Sequence, residues 1–212
     1  MITLYQRTDC PFCWKVRLSL AELGLGYTTI EVTLGEKPAD LLRLTPTGSV
    51  PVLLDGSVVI WDSGVAVDYL DARYGLGSLI PRDPVRQAWV KCLHAYSDKC
   101  VGAALRPLVF ETRSKPVEDR DQRIIETSAL AWQESQAWLE SHIEPQWMGG
   151  SALSSGECAL AARCGVAEAY GVGVSDEFPK LYNWFKAVQW RPAWDAAYPT
   201  AFITANLPRG KG

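Results

Sequence analysis

The sequence predicts an α/β domain containing a mixed four-stranded sheet, followed by an all-α helical domain. Within residues 1–77, stretches of alternating polarity, which are typical of strands, are interleaved with stretches of helical periodicity. Across residues 84–212 the strand signals nearly vanish, and apolar and aromatic residues recur at helical spacing. The segment 78–83 is the predicted linker, because one glycine and two prolines lie in or beside it.

The elements of the first domain follow from local signals. A β-α-β unit comes first and implies two parallel strands. Asp55-Gly56 then marks a tight turn, so the next two strands form an antiparallel pair, and we expect Trp61 to pack in the core at its end. Asp62 and Ser63 are N-cap residues for a third long helix. The resulting order, β-α-β-α-β-β-α, is the thioredoxin-like arrangement.

The second domain is predicted to contain helices within residues 85–113, 119–143, 177–190 and 193–198. Pro107 is expected to kink or end the first of these. Ser154 and Glu157 have the spacing of a capping box, which predicts a further helix start.

Composition limits the possible functions. The chain has 212 residues, of which 48% are hydrophobic and 21% charged, as in ordinary soluble globular proteins. A formal charge of −3 argues against a nucleic-acid partner. We expect no membrane span and no signal peptide, because no apolar run is long enough and the first residues read as a strand. Six cysteines without a secretion signal favour free thiols and the cytoplasm.

The motif that carries chemistry is Cys10-Pro11-Phe12-Cys13, which lies between the first strand and the first helix. Proline suits the first helical position, so Cys10 is the predicted N-cap. Free backbone N–H groups and the helix dipole then favour its thiolate. A cysteine with a pKa of ~8.5 is only about 3% thiolate at neutral pH, whereas a pKa of ~6 gives about 90%. Cys13 lies one helical turn further on, where it could attack a mixed disulfide at Cys10.

Three other interpretations of the motif stay open at this point. It could be half of a zinc site, although the nearest second pair, Cys92 and His94, has an unusual spacing. It could form a structural disulfide, or its cysteines could simply belong to the core. The remaining cysteines are expected to be small buried hydrophobic residues; they are Cys92, Cys100, Cys158 and Cys164.

Two further motifs follow in order: Val50-Pro51-Val52-Leu53, at the start of the third strand, and Asp62-Ser63. With the cysteine motif and a helical second half, they resemble the cytosolic glutathione transferase superfamily over essentially the whole chain. The chain looks most similar to the cysteine-type members, namely the omega-like transferases and the two-domain glutaredoxins.

The resemblance implies roles for individual residues. Cys10 would form a mixed disulfide with glutathione or stabilise its thiolate, and Phe12 would lie beside the cysteinyl group. Val50 would pair through its backbone with the same part of glutathione, and Pro51 would follow a cis peptide bond. Lys37 would meet the glycyl carboxylate.

The γ-glutamyl end of glutathione would be held by Asp62 and Ser63, at the start of the third helix. Each of these residues also has a local interpretation: Val50-Pro51 as a strand start, Asp62-Ser63 as a helix cap and Lys37 as a solvated loop residue. The chain departs from the family's pattern at Asp62, where many members have glutamate, and at Cys13, where omega-like transferases usually have a small residue.

The resemblance implies an enzyme that uses glutathione as co-substrate and needs no metal, and that forms a homodimer. The first hypothesis is a glutathione-dependent thiol transferase or disulfide reductase. The second is conjugation of glutathione to small electrophiles. A third, from another class, is a regulator similar to the stringent starvation proteins. The acceptor would lie between the domains, against a helix that contains Trp89, Tyr96, Val101 and Arg106.

Overall fold

The computed structural model describes residues 1–33, 35–144 and 146–205. Its first part alternates strands and helices, as predicted. The elements are β1 (Ile2–Gln6), α1 (Pro11–Glu22), β2 (Tyr27–Glu31), α2 (Ala39–Leu44), β3 (Val52–Asp55), β4 (Val58–Trp61) and α3 (Ser63–Leu70), followed by a π-helical segment, Asp71–Gly75.

The four strands form one mixed sheet in the order β2-β1-β3-β4, which confirms the predicted thioredoxin-like arrangement. β1 is parallel to β2 and antiparallel to β3, and β3 and β4 form the antiparallel hairpin. Successive side chains of a strand point to opposite faces of the sheet. Leu4 therefore packs in a cluster with α1 and α3, whereas Tyr5 packs with Leu41 of α2. The sheet is covered on both faces.

The prediction that Trp61 packs in the core is wrong. β4 is an edge strand, and its alternation turns Ile60 inward, where it is buried. Trp61 and Val59 point the other way and are 47% and 42% exposed. The residue's size suggested burial, but the pleat of the strand determines its direction.

The second part is helical. Its elements are α4 (Pro84–Tyr96), a π-helical segment (Ser97–Val101), α5 (Gly102–Ser114), a 3₁₀ turn (Val117–Asp119), α6 (Gln122–Glu140), α7 (Ser155–Ala169), α8 (Pro179–Gln189), α9 (Pro192–Ala197) and α10 (Thr200–Thr204). Among described residues, no helix is both long and apolar enough to cross a membrane. The predicted domain boundary at 78–83 stays a prediction.

Two details differ from the expectations for this part. Pro107 does not end its helix, since α5 continues to Ser114, and the expected kink stays a prediction. Cys92 and Cys100 are exposed, so their expected burial is wrong, whereas Cys158 and Cys164 are buried as predicted. On α4 the buried positions are Val90, Leu93 and His94, and Cys92 falls on the opposite side.

Helix α1 lies between the sheet and the helical part of the chain and is therefore buried on nearly all sides. It packs against α3 on one side and against α7 and α9 on the other. Trp14 of α1 is fully buried and lies 4.8 Å, centroid to centroid, from Trp194 of α9. Gly165 of α7 allows this approach, because a Cβ atom there would lie 2.3 Å from the Trp14 ring. The helical part thus fixes the helix that begins beside Cys10.

Candidate active site

A cavity of about 730 Å³ opens at the N-terminus of α1, between the thioredoxin-like part and helices α5 and α7. Seven of the eight predicted site residues line it together: Cys10, Phe12, Lys37, Val50, Pro51, Asp62 and Ser63. The eighth, Cys13, is completely buried in α1. Residues far apart in sequence therefore meet around one thiol.

Cys10 is the N-cap of α1 and Pro11 its first residue, as the sequence predicted. The thiol is free and half-buried. Its pKa is lowered to about 6, first by a hydrogen bond from the Cys13 thiol and also by the backbone N–H groups of Cys13 and Phe12 and the charge of Arg163, while burial opposes the shift. At neutral pH about 90% of such a group is thiolate.

Cys13 has the opposite character. Its pKa is raised well above the usual range, because it is buried and because its S–H donates a hydrogen bond to the Cys10 sulfur. It is a free thiol in the structure. The two cysteines thus form an asymmetric pair in which one holds the negative charge and the other supplies a hydrogen bond.

A cluster of buried charges lies behind Phe12. The Arg163 guanidinium is 4.5 Å and the Lys15 ammonium 5.2 Å from the Phe12 ring centroid, so both cations contact the ring. Asp98 pairs with both, with its Oδ2 2.6 Å from Lys15 Nζ and its Oδ1 3.3 Å from Arg163 Nη2. His94 Nε2 lies 2.6 Å from Lys15 Nζ. This network connects α1, α4 and α7 directly beneath the cysteine motif.

The second wall of the cavity carries the loop before β3. The Val50–Pro51 peptide bond is cis, as predicted. Nearby, Lys37 donates a hydrogen bond from Nζ to the Thr47 carbonyl over 3.4 Å. Its ammonium therefore stays beside the β3 loop and close to the cavity, where it can also reach an anionic ligand group.

Asp62 and Ser63 form the third part of the wall. Asp62 Oδ1 accepts hydrogen bonds from the backbone N–H groups of Gly64 at 2.8 Å and Val65 at 3.1 Å, which confirms the predicted cap. The Asp62 backbone has a φ of 104°, a conformation that is costly for residues other than glycine and that is often found at ligand sites. Ser63 is buried and faces the cavity.

The rest of the cavity wall, formed by the β1–α1 loop and by α5 and α7, contains residues that the sequence did not single out. Of the four candidates on the first long helices, Arg106 lines the cavity, whereas Trp89, Tyr96 and Val101 pack in the core. The residues missed are Arg7, Asp9, Phe110, Arg113 and Arg163. For Arg163 a signal existed: it is a single arginine in the otherwise apolar segment Ala159–Ala167, and buried charges need partners.

Among the described residues, no group of three or more His, Cys, Asp or Glu side chains could hold a metal ion. Tyr5, the tyrosine of the first strand, is buried under α2 with Val52. Cys10, in contrast, lines the cavity and has a lowered pKa.

The family model "Glutathione S-transferase, N-terminal domain" matches residues 4–78. The glutathione S-transferase GstB of Escherichia coli K12 is 29% identical over 202 residues, covering 91% of this chain and 95% of that protein. Glutathione S-transferase omega-1 of Sus scrofa is 26% identical, with 93% and 80% covered. A stringent starvation protein A homolog of Haemophilus influenzae is 38% identical over 88 residues, or 42% of each chain.

Similarity extends to solved structures. A theta class glutathione S-transferase from Xanthomonas axonopodis pv. citri, determined with glutathione bound, has a TM-score of 0.84 at 25% identity. The match covers 95% of this chain and 98% of that one. The fold, the matched N-terminal domain and these full-length similarities agree, and the chain belongs to the glutathione transferase superfamily.

Proposed function

We propose that this protein is a glutathione-dependent thiol transferase that reduces mixed disulfides through the Cys10 thiolate. The observation that carries the proposal is a thiol with a pKa near 6 in the cavity formed by the predicted glutathione residues. Within this proposal, residues 1–77 form the glutathione-binding domain and residues 84–212 the helical domain that completes the acceptor site.

Glutathione binding is part of the proposal. Val50 would pair with the cysteinyl backbone of glutathione, and both Val50 and Pro51 line the cavity. Lys37 would meet the glycyl carboxylate. Ser63, at the positive end of α3, would receive the γ-glutamyl carboxylate, and Asp62 its ammonium group. The Xanthomonas relative, which was solved with glutathione bound, supports glutathione as the ligand.

The chemistry has two steps. In the first, the Cys10 thiolate attacks the glutathionyl sulfur of a substrate R–S–SG; the Cys10–SG disulfide bond forms, the S–S bond between RS and SG breaks, and RS⁻ leaves and takes a proton from solvent. In the second, the thiolate of a free glutathione attacks Cys10–SG, which releases glutathione disulfide and restores the Cys10 thiolate. The RS sulfur is reduced to a thiol and one free glutathione is oxidised, so that it ends in glutathione disulfide with the glutathionyl unit taken from the substrate.

Cys13 acts in this scheme as a hydrogen-bond donor and not as the resolving thiol. A nucleophile must be a thiolate, and burial holds the pKa of Cys13 well above its usual range. Free glutathione, which enters through the open cavity, is the better resolving group.

Two variants test the proposal in an assay with glutathione and hydroxyethyl disulfide. Cys10→Ser should lose at least 100-fold in activity, on the order expected when a covalent nucleophile is removed. Cys13→Ser should retain most of the activity, because glutathione resolves the adduct. If Cys10→Ser keeps its disulfide reductase activity, the proposal is wrong.

A chloronitrobenzene substrate separates transfer from conjugation. In conjugation glutathione itself is the nucleophile, so Cys10→Ser would reduce conjugation only through the loss of thiolate stabilisation. Failure to detect glutathione binding by calorimetry would instead favour a regulator like the stringent starvation proteins.

We also propose a homodimer. Besides the family resemblance, exposed apolar side chains on β4 and α3 support it, since Val59, Trp61 and Val65 are 42%, 47% and 55% exposed. Sedimentation that gives a monomer at micromolar concentration would contradict it.

A further inference from the structure

The cavity has a second compartment that the proposed glutathione contacts leave unused. Beyond Cys10 it is bounded by the β1–α1 loop, by one face of α5 and by α7. None of the residues assigned to glutathione lies on α5 or α7. This compartment is where a second substrate would meet the Cys10 sulfur.

The compartment carries an excess of positive charge. Its charged residues are Arg7, Arg106, Arg113, Arg163, Asp9 and Asp98, four cations against two anions, whereas the chain as a whole has a formal charge of −3. Asp9 is shared, because it accepts two hydrogen bonds from Arg7 at 2.8 and 2.6 Å and one from Arg113 at 2.8 Å. One carboxylate thus faces two guanidinium groups.

Arg106 has no ion-pair partner within residues 1–33, 35–144 and 146–205. Its guanidinium lies 5.4 Å from the centroid of Phe110, and that of Arg113 lies 4.8 Å from the same ring. Phe110 is 43% exposed. The pair of arginines therefore flanks an accessible aromatic ring at the edge of the cavity.

The rest of the compartment is apolar. Val109 of α5, Val166 of α7 and the ring of Phe12 line it. Guanidinium groups around a flat apolar surface suit a ligand with an anionic group on an aromatic body, since arginine binds carboxylates bidentately and stacks on rings.

We propose that the acceptor of this enzyme is an aromatic or similarly flat apolar compound that carries a carboxylate, held by Arg106 and Arg113 against Phe110. The inference rests on the proposed function for its chemistry, because the acceptor would be the R–S group of the mixed disulfide. Under conjugation the same compartment would hold the anionic electrophile. Thiol transfer and conjugation would therefore show the same preference for an anionic acceptor.

Two matched pairs of probes test it. The first pair is the mixed disulfides of glutathione with 5-thio-2-nitrobenzoate and with 4-nitrothiophenol, which differ in one carboxylate and release coloured thiolates. The second pair is the corresponding thioethers, which cannot react and report binding by calorimetry. In each pair, wild-type protein should favour the compound that carries the carboxylate by about tenfold. The disulfides report this preference in kcat/KM and the thioethers report it in Kd, and the size is that expected for one charge-assisted contact.

Arg106→Gln and Arg113→Gln should each reduce this preference, mainly by slowing the carboxylate compound. Arg106 is exposed, so its variant tests the inference even if loss of the Asp9 contact makes Arg113→Gln unstable. Arg123→Gln is the matched control, because Arg123 lies on α6 outside the cavity, and it should keep the wild-type preference.

The outcomes separate the two proposals. Equal affinity of wild-type protein for the two thioethers would overturn the acceptor proposal, whatever the turnover. A thioether preference without turnover of either disulfide would support the anionic acceptor and refute the thiol transferase. If neither thioether binds at millimolar concentration, both proposals fail.

Discussion

Cys10 owes its acidity to groups of three kinds: a neighbouring thiol, two backbone N–H groups and the charge of Arg163. The first of these lowers the pKa most, against the cost of burial. Proline at the first helical position is what leaves the backbone groups pointing at the sulfur. The side chain of Cys13 therefore lowers the pKa of Cys10 even though it does not line the cavity.

We predict that Cys13→Ala raises the pKa of Cys10 from about 6 by one to two units. A hydrogen bond to a charged group contributes about 1.5–3 kcal/mol, and one pKa unit corresponds to about 1.4 kcal/mol. Cys13→Ser keeps a donor and should shift the pKa less. The pH dependence of alkylation by iodoacetamide measures the midpoint.

Cys92→Ser is the control, because Cys92 is exposed, and it should leave the midpoint of Cys10 alkylation unchanged. An Ala variant whose midpoint also stays near 6 would show that the thiol–thiol hydrogen bond does not set the acidity. Equal shifts in the Ala and Ser variants would point to packing instead of hydrogen bonding.

At the scale of elements, α1, α4 and α7 are held together by the polar cluster behind Phe12. Asp98 lies in the π-helical segment between α4 and α5, and pairs there with Lys15 and Arg163. His94, one turn earlier, touches Lys15. Burial and the nearby Lys15 charge lower the pKa of His94 to about 4.

The lowered pKa of His94 predicts that the protein loses stability in mild acid. In the unfolded chain the pKa is ~6.5, so between pH 6.5 and 4 the unfolded state binds a proton that the folded state does not. Acid then favours unfolding, by about 1.4 kcal/mol per pH unit from this residue and on the order of 3 kcal/mol by pH 4.

His94→Gln should flatten the pH dependence of the unfolding free energy in this range, measured by urea denaturation at several pH values. Glutamine retains an acceptor for Lys15 but does not titrate. Cys92→Ser, on the solvent side of α4, should keep the wild-type slope. A slope that is the same in His94→Gln and wild type would assign the acid sensitivity to other groups.

The elements themselves were largely predictable from sequence, because their signals are local. Pro11 after Cys10 predicts the start of α1, and Asp62 caps α3 as expected. The partners of Cys10 were less accessible. Arg163 reaches the motif only because α7 packs on α1, and no local pattern encodes that contact.

The same limit explains the errors in burial. Trp61 and Cys92 have apolar side chains, but their exposure depends on which face of β4 or α4 the rest of the chain covers. The cavity wall gives another example of a face that tertiary packing determines. Arg106 of α5 lines the cavity, whereas Trp89 and Tyr96 of α4 pack in the core. Faces are set by tertiary packing.

At the scale of the whole molecule, the helical part positions the reactive cysteine through the contact of α1 with α7 and α9. Trp14 follows Cys10 by one helical turn, and its backbone N–H donates a hydrogen bond to the Cys10 carbonyl over 2.9 Å. The ring of Trp14 fills the space above Gly165 and packs on Trp194. A displacement of Trp14 would therefore be transmitted to the N-terminus of α1.

We predict that Gly165→Ala destabilises the protein by about 1–2 kcal/mol and also slows Cys10 chemistry. Its Cβ would lie 2.3 Å from Trp14 Cη2 and 2.8 Å from Trp194 Cη2, so these buried rings must move. Overpacking costs about 1–3 kcal/mol, and the better helix propensity of alanine offsets up to about 1 kcal/mol.

Gly26→Ala is the matched control, since a Cβ there meets nothing within 4 Å, and it should unfold like wild type. In a double-mutant cycle, Trp14→Phe should cost less stability in the Gly165→Ala background than in wild type, because the smaller ring leaves room for the new methyl group. Additive costs would mean that the strain is relieved elsewhere, and an unchanged alkylation rate of Cys10 in a destabilised Gly165→Ala would show that the helical part supports the fold without positioning the thiol.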